Sequence, residues 1–93
     1  MIVGVQFFRD EENDDRVTTT IIQDGPERKE NGDGAYLTQD QVLDLLKSLG
    51  LNEEQAEEYL GLILHQPPKV RRRQFEINQE QEDQVRELLP GAW

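Results

Sequence analysis

The sequence contains no cysteine, and it has only one histidine (His65) and one serine (Ser48) among its 93 residues. Without cysteine, the chain can form neither a disulfide bond nor a thiolate zinc site. Nucleophilic catalysis needs a nucleophile and a base within hydrogen-bond reach of each other, and this chain supplies few of either. We therefore expect a protein that is not an enzyme and that uses no cofactor and no metal.

The chain also lacks any run close to the ~20 apolar residues that a transmembrane helix requires. Its apolar start, MIVGVQFF, has no basic region before it and is shorter than a signal peptide. A chain of 93 residues can bury one small core but leaves little room for a deep pocket. We expect a single domain over residues 1–93, in a soluble, cytoplasmic protein with no membrane contact.

Basic residues are scarce, because 20 acids face 10 lysines and arginines and the formal net charge is −10. Residues 1–68 hold 15 of the acids and 5 of the bases, whereas residues 69–93 hold 5 of each. This balance disfavours direct binding to nucleic acid or to anionic membranes and favours a basic protein surface as partner.

Residues 38–65 carry the strongest local signals and predict a pair of helices. Each helix has a capping box at its start, formed by Thr38 with Gln41 and by Asn52 with Gln55. Gly50 between them is suited to end the first helix in the left-handed conformation. Apolar residues recur at helical spacing on both, which predicts a buried stripe made of Val42, Leu45, Leu46, Leu49, Ala56, Tyr59, Leu60, Ile63 and Leu64.

The remaining segments predict a small sheet. Residues 1–23 read as a β-hairpin with strands at 2–8 and 17–23, residues 24–37 as a loop, 69–77 as a strand and 78–90 as a helix. Val70 and Phe75 fall on opposite faces of the third strand, which indicates a bulge or an edge strand. The predicted fold is α+β, a three-stranded mostly antiparallel sheet with three helices in the order β-β-α-α-β-α.

Two acidic clusters are the candidate binding residues. Like charges four residues apart destabilise a helix by a few tenths of a kcal/mol per pair, so the glutamates at positions 53, 54, 57 and 58 lower the stability of their helix. We expect these acids to dock on a basic protein surface, most concretely as a phage-type inhibitor that mimics nucleic acid and blocks a nucleic-acid-handling protein. An acidic surface that only confers solubility is the simpler alternative. The clusters are Glu53, Glu54, Glu57 and Glu58, and Asp10, Glu11, Glu12, Asp14 and Asp15.

The second cluster resembles the start of a calcium-binding EF-hand loop, because Asp10, Glu12 and Asp14 alternate. The sixth position of such a loop needs glycine and the twelfth a bidentate glutamate, but Asp15 and Ile21 stand there. We therefore interpret residues 9–16 as a solvated hairpin loop without a metal.

Two other functions remain open. Arg71, Arg72 and Arg73 form the one basic cluster and could contact phosphates, as the wing of a winged-helix regulator does; alternatively, they pair with glutamates of the same chain. The protein could also be an assembly subunit, a monomer or small homo-oligomer, with Leu43, Leu62 and Trp93 in the contact.

Residues 49–64, LGLNEEQAEEYLGLIL, resemble the first helix of sugar-sensing winged-helix regulators of archaea. That family would continue with a pair of recognition helices, whereas Pro67-Pro68 and a strand follow here. The resemblance is confined to capping residues and leucine spacing, and it implies no role for any individual residue.

Overall fold

A computed structural model of the chain describes residues 2–10, 16–22 and 35–89; of Ile22 it describes the backbone only. The predicted α+β class and the order of the elements are confirmed, with one strand added. No helix in the described ranges has the length and apolarity needed to cross a membrane. The elements are β1 (Ile2–Arg9), β2 (Arg16–Ile22), β3 (Ala35–Thr38), α1 (Gln39–Ser48), α2 (Glu53–His65), β4 (Val70–Glu76) and α3 (Gln79–Leu88).

The predicted count of three strands is wrong, because residues 35–37 of the predicted loop form a fourth strand, β3, together with Thr38 at the start of the predicted helical pair. This strand pairs antiparallel with β2, and Leu37 lies opposite Val17. Its 4 residues are too few to show an alternating pattern, and its stability comes from a partner distant in sequence. Leu37 is buried at this position and Tyr36 is exposed, as the alternation of a strand requires.

The described sheet is antiparallel throughout and has the strand order β3-β2-β1-β4. The predicted hairpin of β1 with β2 and the predicted edge position of the last strand, β4, are both confirmed. Side chains alternate along β1, so that Val3, Val5 and Phe7 are buried on the inner face, which the helices cover. Among the described residues, no helix covers the outer face.

The core lies between the inner face of the sheet and the helices. Helix α1 packs over β2 and β3, α2 packs over β1, and α3 packs beside α1. Tyr59 and Leu64, which belong to the predicted buried stripe, are only partly buried. The other residues predicted to meet in the core are confirmed as buried, namely Val42, Leu45, Leu46, Leu49, Leu60, Ile63, Val3, Val5, Ile21 and Phe75.

The helix termini follow the local sequence. Capping boxes are present at Thr38, Asn52 and Asn78, each with a glutamine three residues later. At the end of α1, the Gly50 N–H donates to Lys47 O (3.1 Å) and the Leu51 N–H to Leu46 O (3.1 Å). These two bonds form a Schellman motif, and Gly50 takes the positive φ of 108° that the motif needs.

Thr19 is the polar exception in the core. Its side chain points to the inner face of the sheet with 0% exposure, and its hydroxyl has no hydrogen-bond partner among the described residues. A buried hydroxyl without a partner is destabilising, because it has lost its bonds to water. We expect Thr19→Val, which keeps the shape of the side chain, to raise the free energy of unfolding by about 1 kcal/mol in urea titrations.

Thr20 is the matched control, because it is the next residue of β2, lies on the outer face and is partly exposed. Thr20→Val should change the free energy of unfolding by less than about 0.5 kcal/mol. A loss of stability in Thr19→Val would mean that the hydroxyl has a hydrogen-bond partner after all.

Candidate functional site: the acidic surface of α2

The first turns of α2 carry the first of the two predicted acidic clusters. The Asn52 side chain accepts from the Gln55 N–H (2.8 Å) and the Gln55 amide oxygen accepts from the Asn52 N–H (3.1 Å), which defines where the helix starts. Of the residues that follow the cap, Ala56 and Leu60 are buried and most of the others are exposed. Four of the exposed ones form the α2 acidic surface, namely Glu53, Glu54, Glu57 and Glu58.

All four carboxylates are exposed, and none forms an ion pair with a residue that the structure describes. Helix α3 differs in this respect, because Glu82 there pairs with Arg86 at 3.0 Å. Glu53 and Glu54 are in the first turn, where the helix dipole favours negative charge. Glu57 and Glu58 each follow a glutamate by four residues, so both add repulsion. The α2 acidic surface therefore keeps its charge available to a partner.

The four glutamates do not project in one direction. At about 100° per residue, the four positions cover an arc of about 140° around the helix axis. Glu58, at one end of this arc, lines a groove together with Arg73 of β4, whereas Glu53, at the other end, does not. A partner would therefore have to wrap part of the helix or present a concave surface to reach all four.

The second predicted acidic patch is largely outside the described residues, since Glu11, Glu12, Asp14 and Asp15 lie there. Asp10 is described and is partly exposed. Its backbone N–H donates to Arg16 O at 3.3 Å, next to the hairpin connection. Asp10 also lines a small cavity of about 130 Å³ together with Arg9, Gln39, Leu64 and His65. Of the second patch, the structure thus places Asp10, and none of the four α2 glutamates lines the cavity that Asp10 lines.

The arginine cluster is divided between the two faces of the sheet. Arg71 and Arg73 lie opposite Phe7 and Val5 of β1, on the inner face, whereas Arg72 lies opposite Gln6 on the outer face. The expectation that these arginines pair with glutamates of the chain is wrong for the described residues, in which none of the three forms an ion pair. Their partners are backbone carbonyls, aromatic rings and the Gln6 amide.

Two arginines from the sheet bind the carboxyl end of α2. Arg71 donates from Nε to Leu62 O (3.2 Å) and from Nη2 to Pro67 O (2.8 Å), and Arg9 donates from Nη1 to Leu64 O (3.1 Å). The last carbonyls of a helix have no partner within the helix and carry partial negative charge, so a guanidinium is well suited to them. The sheet thus neutralises one end of α2 while the other end carries the acids.

Arg73 lines a groove between α2 and β4. Its guanidinium carbon lies 5.2 Å from the Tyr59 ring centroid and 5.1 Å from that of Phe75, which are cation–π distances. Burial raises the pKa of the Tyr59 hydroxyl, and the positive charges of Arg73 and Arg71 offset this in part. The groove has a volume of about 250 Å³ and is lined by Leu51, Gln55, Glu58, Tyr59, Leu62 and Arg73.

Sequence reasoning missed this groove, although one signal pointed to it. The alternation in β4 placed Arg73 on the same face as Phe75, so an arginine beside the core was visible in the sequence. That the opposite wall would be Tyr59 and Leu62 of α2 depends on how the helix crosses the sheet, which the alternation does not specify.

Charge is segregated between the two layers of the described fold. The three helices contain ten acidic and two basic residues, whereas the four strands contain five arginines and one glutamate. The helix layer is therefore strongly negative and the sheet is positive, a difference that the net charge of −10 conceals. A basic partner would meet the helix layer first.

Ser48 and His65, the two side chains considered for catalysis, lie near the ends of α1 and α2. Ser48 Oγ donates to Asp44 O at 2.9 Å within α1, and His65 is exposed in the last turn of α2. Over residues 2–10, 16–22 and 35–89, no three His, Asp or Glu side chains are placed to hold a metal ion. Residues 9–16, which were predicted to form a loop that binds no metal, lie mostly outside these ranges, and Glu12 and Asp14 are among those not described.

The residues named for an assembly contact are not brought together. Leu43 is partly buried against the core, Leu62 is 37% exposed beside the groove, and Trp93 lies outside the described residues. Within the described part of the chain, three other large apolar side chains are exposed, and all three lie on the outer face of the sheet: Ile2, Phe8 and Tyr36.

Comparison of the chain with protein-family models, with curated proteins and with solved structures gives no match in any of the three.

Proposed function

We propose that this protein is a non-enzymatic protein-binding module whose α2 acidic surface docks on a basic surface of its partner. In its most concrete form it is a small acidic inhibitor that mimics nucleic acid and blocks a nucleic-acid-handling protein. The observation that carries the proposal is the absence of any ion pair at Glu53, Glu54, Glu57 and Glu58 among the described residues.

The support for a docking role is that the charges are uncompensated among the described residues and lie on a helix whose two ends are held by specific hydrogen bonds. Caps at Asn52 and Gln55 define the start of α2, and Arg71 and Arg9 bind its end. A surface that serves only solubility needs no such positioning. A preformed surface also loses little conformational entropy when it binds.

The support for mimicry of nucleic acid is the density of charge along α2. A helix rises about 1.5 Å per residue, so four glutamates between positions 53 and 58 place one charge per about 2 Å of helix axis. Duplex DNA carries one charge per about 1.7 Å of its axis. A groove that binds a phosphate backbone would therefore meet a similar density of charge on the first turns of α2.

Direct nucleic-acid binding through Arg71, Arg72 and Arg73 has less support. Two of the three guanidinium groups contact α2 carbonyls or aromatic rings on the inner face of the sheet. Only Arg72 is presented on the outer face, and one arginine supplies too few phosphate contacts for appreciable affinity.

The test uses a partner captured from the native host by the wild-type protein. We expect replacement of Glu53, Glu54, Glu57 and Glu58 by lysine to abolish binding of that partner without unfolding the protein. The association rate should fall most, and wild-type binding should weaken as salt is raised, because exposed charges are screened over about 10 Å at 0.1 M salt. Binding is measured by titration at two salt concentrations and folding by circular dichroism.

Helix α3 provides a matched control with the same change in net charge. Its four acids are Glu80, Glu82, Asp83 and Glu87, and their replacement by lysine should leave most of the affinity intact. Equal losses in both variants would mean that net charge, and not the α2 acidic surface, governs binding. Retained binding in the α2 variant, with loss on Arg71/Arg72/Arg73→Ala, would favour the nucleic-acid alternative.

A further inference from the structure

The groove between α2 and β4 is lined by two opposite charges that do not pair. Glu58 of α2 and Arg73 of β4 both line it, yet neither forms an ion pair with the other or with any other described residue. Arg73 also donates no hydrogen bond to a described residue, so the N–H groups of its guanidinium have no acceptor among them. Both charges of the groove are therefore available to a ligand.

The guanidinium of Arg73 is oriented although it is unpaired. Its carbon lies 5.2 Å from the centroid of the Tyr59 ring and 5.1 Å from that of Phe75. These contacts hold a planar group whose donors match a carboxylate in two parallel hydrogen bonds. Because the arginine is already positioned, the protein loses little conformational entropy when a carboxylate binds there.

The groove also contains apolar surface that is open to water. Leu51, Tyr59 and Leu62 line it, and Leu62 is 37% exposed. Within the described part of the chain, Leu62 is the one large apolar side chain that is exposed outside the outer face of the sheet. The volume of the groove is about 250 Å³, below the about 300–1,000 Å³ of pockets that hold drug-sized ligands. The groove therefore suits a side chain of a partner protein better than a free small molecule.

From these observations we infer that the groove binds a segment of the partner protein that presents an acidic, an apolar and a basic side chain together. The acid pairs with Arg73, the apolar side chain packs on Leu51 and Leu62, and the base pairs with Glu58. The inference rests on the proposed function, because Glu58 belongs to the α2 acidic surface. It adds a requirement for one acidic residue on a mainly basic partner.

The required acid makes the interface selective among basic partners. Attraction between the α2 acidic surface and a positive surface acts at long range and does not distinguish one basic surface from another. A basic surface without the acid would cover Arg73 with like charge and leave its donors without an acceptor, which costs affinity. Arg73 therefore distinguishes partners that carry the acid from those that lack it.

A short peptide tests the groove without the partner. In acetyl-Lys-Gly-Leu-Gly-Glu-amide the three functional side chains lie on one side of the extended chain. The peptide has no net charge, and replacing its glutamate by glutamine makes it positive. If only the net charge of −10 attracted these peptides, the glutamine peptide would bind more tightly. We expect the opposite, with the glutamate peptide bound at least about fivefold more tightly in calorimetric titrations.

Arg73→Gln should abolish this preference, so that the two peptides bind within about twofold of each other. Arg72→Gln is the matched control, because it removes the same charge one residue away, on the outer face of the sheet, and the preference should persist. Arg73→Lys keeps the charge without the planar group and should retain part of the preference. Replacing the leucine of the peptide by alanine should weaken its binding to wild type about fivefold, because less apolar surface is covered.

Three results would overturn the inference: a wild-type protein that binds the glutamine peptide as tightly as the glutamate peptide, a preference that survives Arg73→Gln, or a captured partner that binds folded Arg73→Gln as tightly as wild type. Circular dichroism establishes folding for every variant. Failure of the proposed function has a separate signature, namely retained partner binding after the four α2 glutamates are replaced by lysine. The ratio of the two peptides on wild-type protein reports on Arg73 alone.

Discussion

Leu46→Ala is expected to lower the free energy of unfolding by about 2–5 kcal/mol. Leu46 is 0% exposed in the centre of α1 and belongs to the core between the helices and the sheet. Truncation removes three buried carbon atoms and leaves a cavity that close-packed neighbours fill only in part. The loss is measured by urea or guanidinium titration followed by circular dichroism.

Leu62 provides the matched control on the other helix. Its side chain is 37% exposed beside the groove, so Leu62→Ala removes fewer contacts and should lower the free energy of unfolding by less than about 1 kcal/mol. If Leu46→Ala loses less than about 1 kcal/mol as well, the buried face of α1 is assigned wrongly.

Gly50→Ala is expected to destabilise the protein by about 1–2 kcal/mol, because the position has a φ of 108° that side chains with a Cβ adopt at a cost. Space is not the main obstacle, since a Cβ there would meet the flexible Gln81 Nε2 at 3.4 Å. The strain falls on the Schellman motif that turns the chain from α1 into α2. Thermal and urea unfolding both report the change.

Gly61→Ala is the same substitution in the opposite setting. Gly61 lies inside α2, and a Cβ there would meet nothing within 4 Å. Alanine stabilises a helix interior relative to glycine by about 0.5–1 kcal/mol, so this variant should be more stable than wild type. If both variants are more stable than wild type, the backbone conformation of residue 50 differs from the one described.

The helices and their termini were predictable from the sequence because short-range contacts determine them. A capping box needs two residues three positions apart, and a Schellman motif needs one glycine and one apolar residue. The roles of Asn52, Gln55 and Gly50 can therefore be inferred from their neighbours in the sequence. The hairpin of β1 with β2 was also predictable, because its strands are long enough to show alternation. The α2 acidic surface was visible as exposed positions between the apolar ones.

Strand β3 and the partners of the inward-facing arginines could not be predicted, because both depend on contacts between segments distant in the chain. Tyr36 and Leu37 form a strand because they pair with the edge of β2. No residue within four positions of them indicates that partner. Arg71 and Arg73 point inward since β4 pairs with β1 in one register, and a shift by one residue would turn them outward.

By itself, therefore, the sequence determined the α+β class, the helix boundaries and the excess of acid, because these follow from composition and from neighbours within one or two turns. The tertiary structure decided which charges are compensated. It places Arg71 and Arg9 on the end of α2, Arg73 beside two aromatic rings and Arg72 on the outer face, where it donates to Gln6. The glutamates at the start of α2 receive no cation from the described residues. Only the packing of α2 across the sheet brings these groups together or keeps them apart.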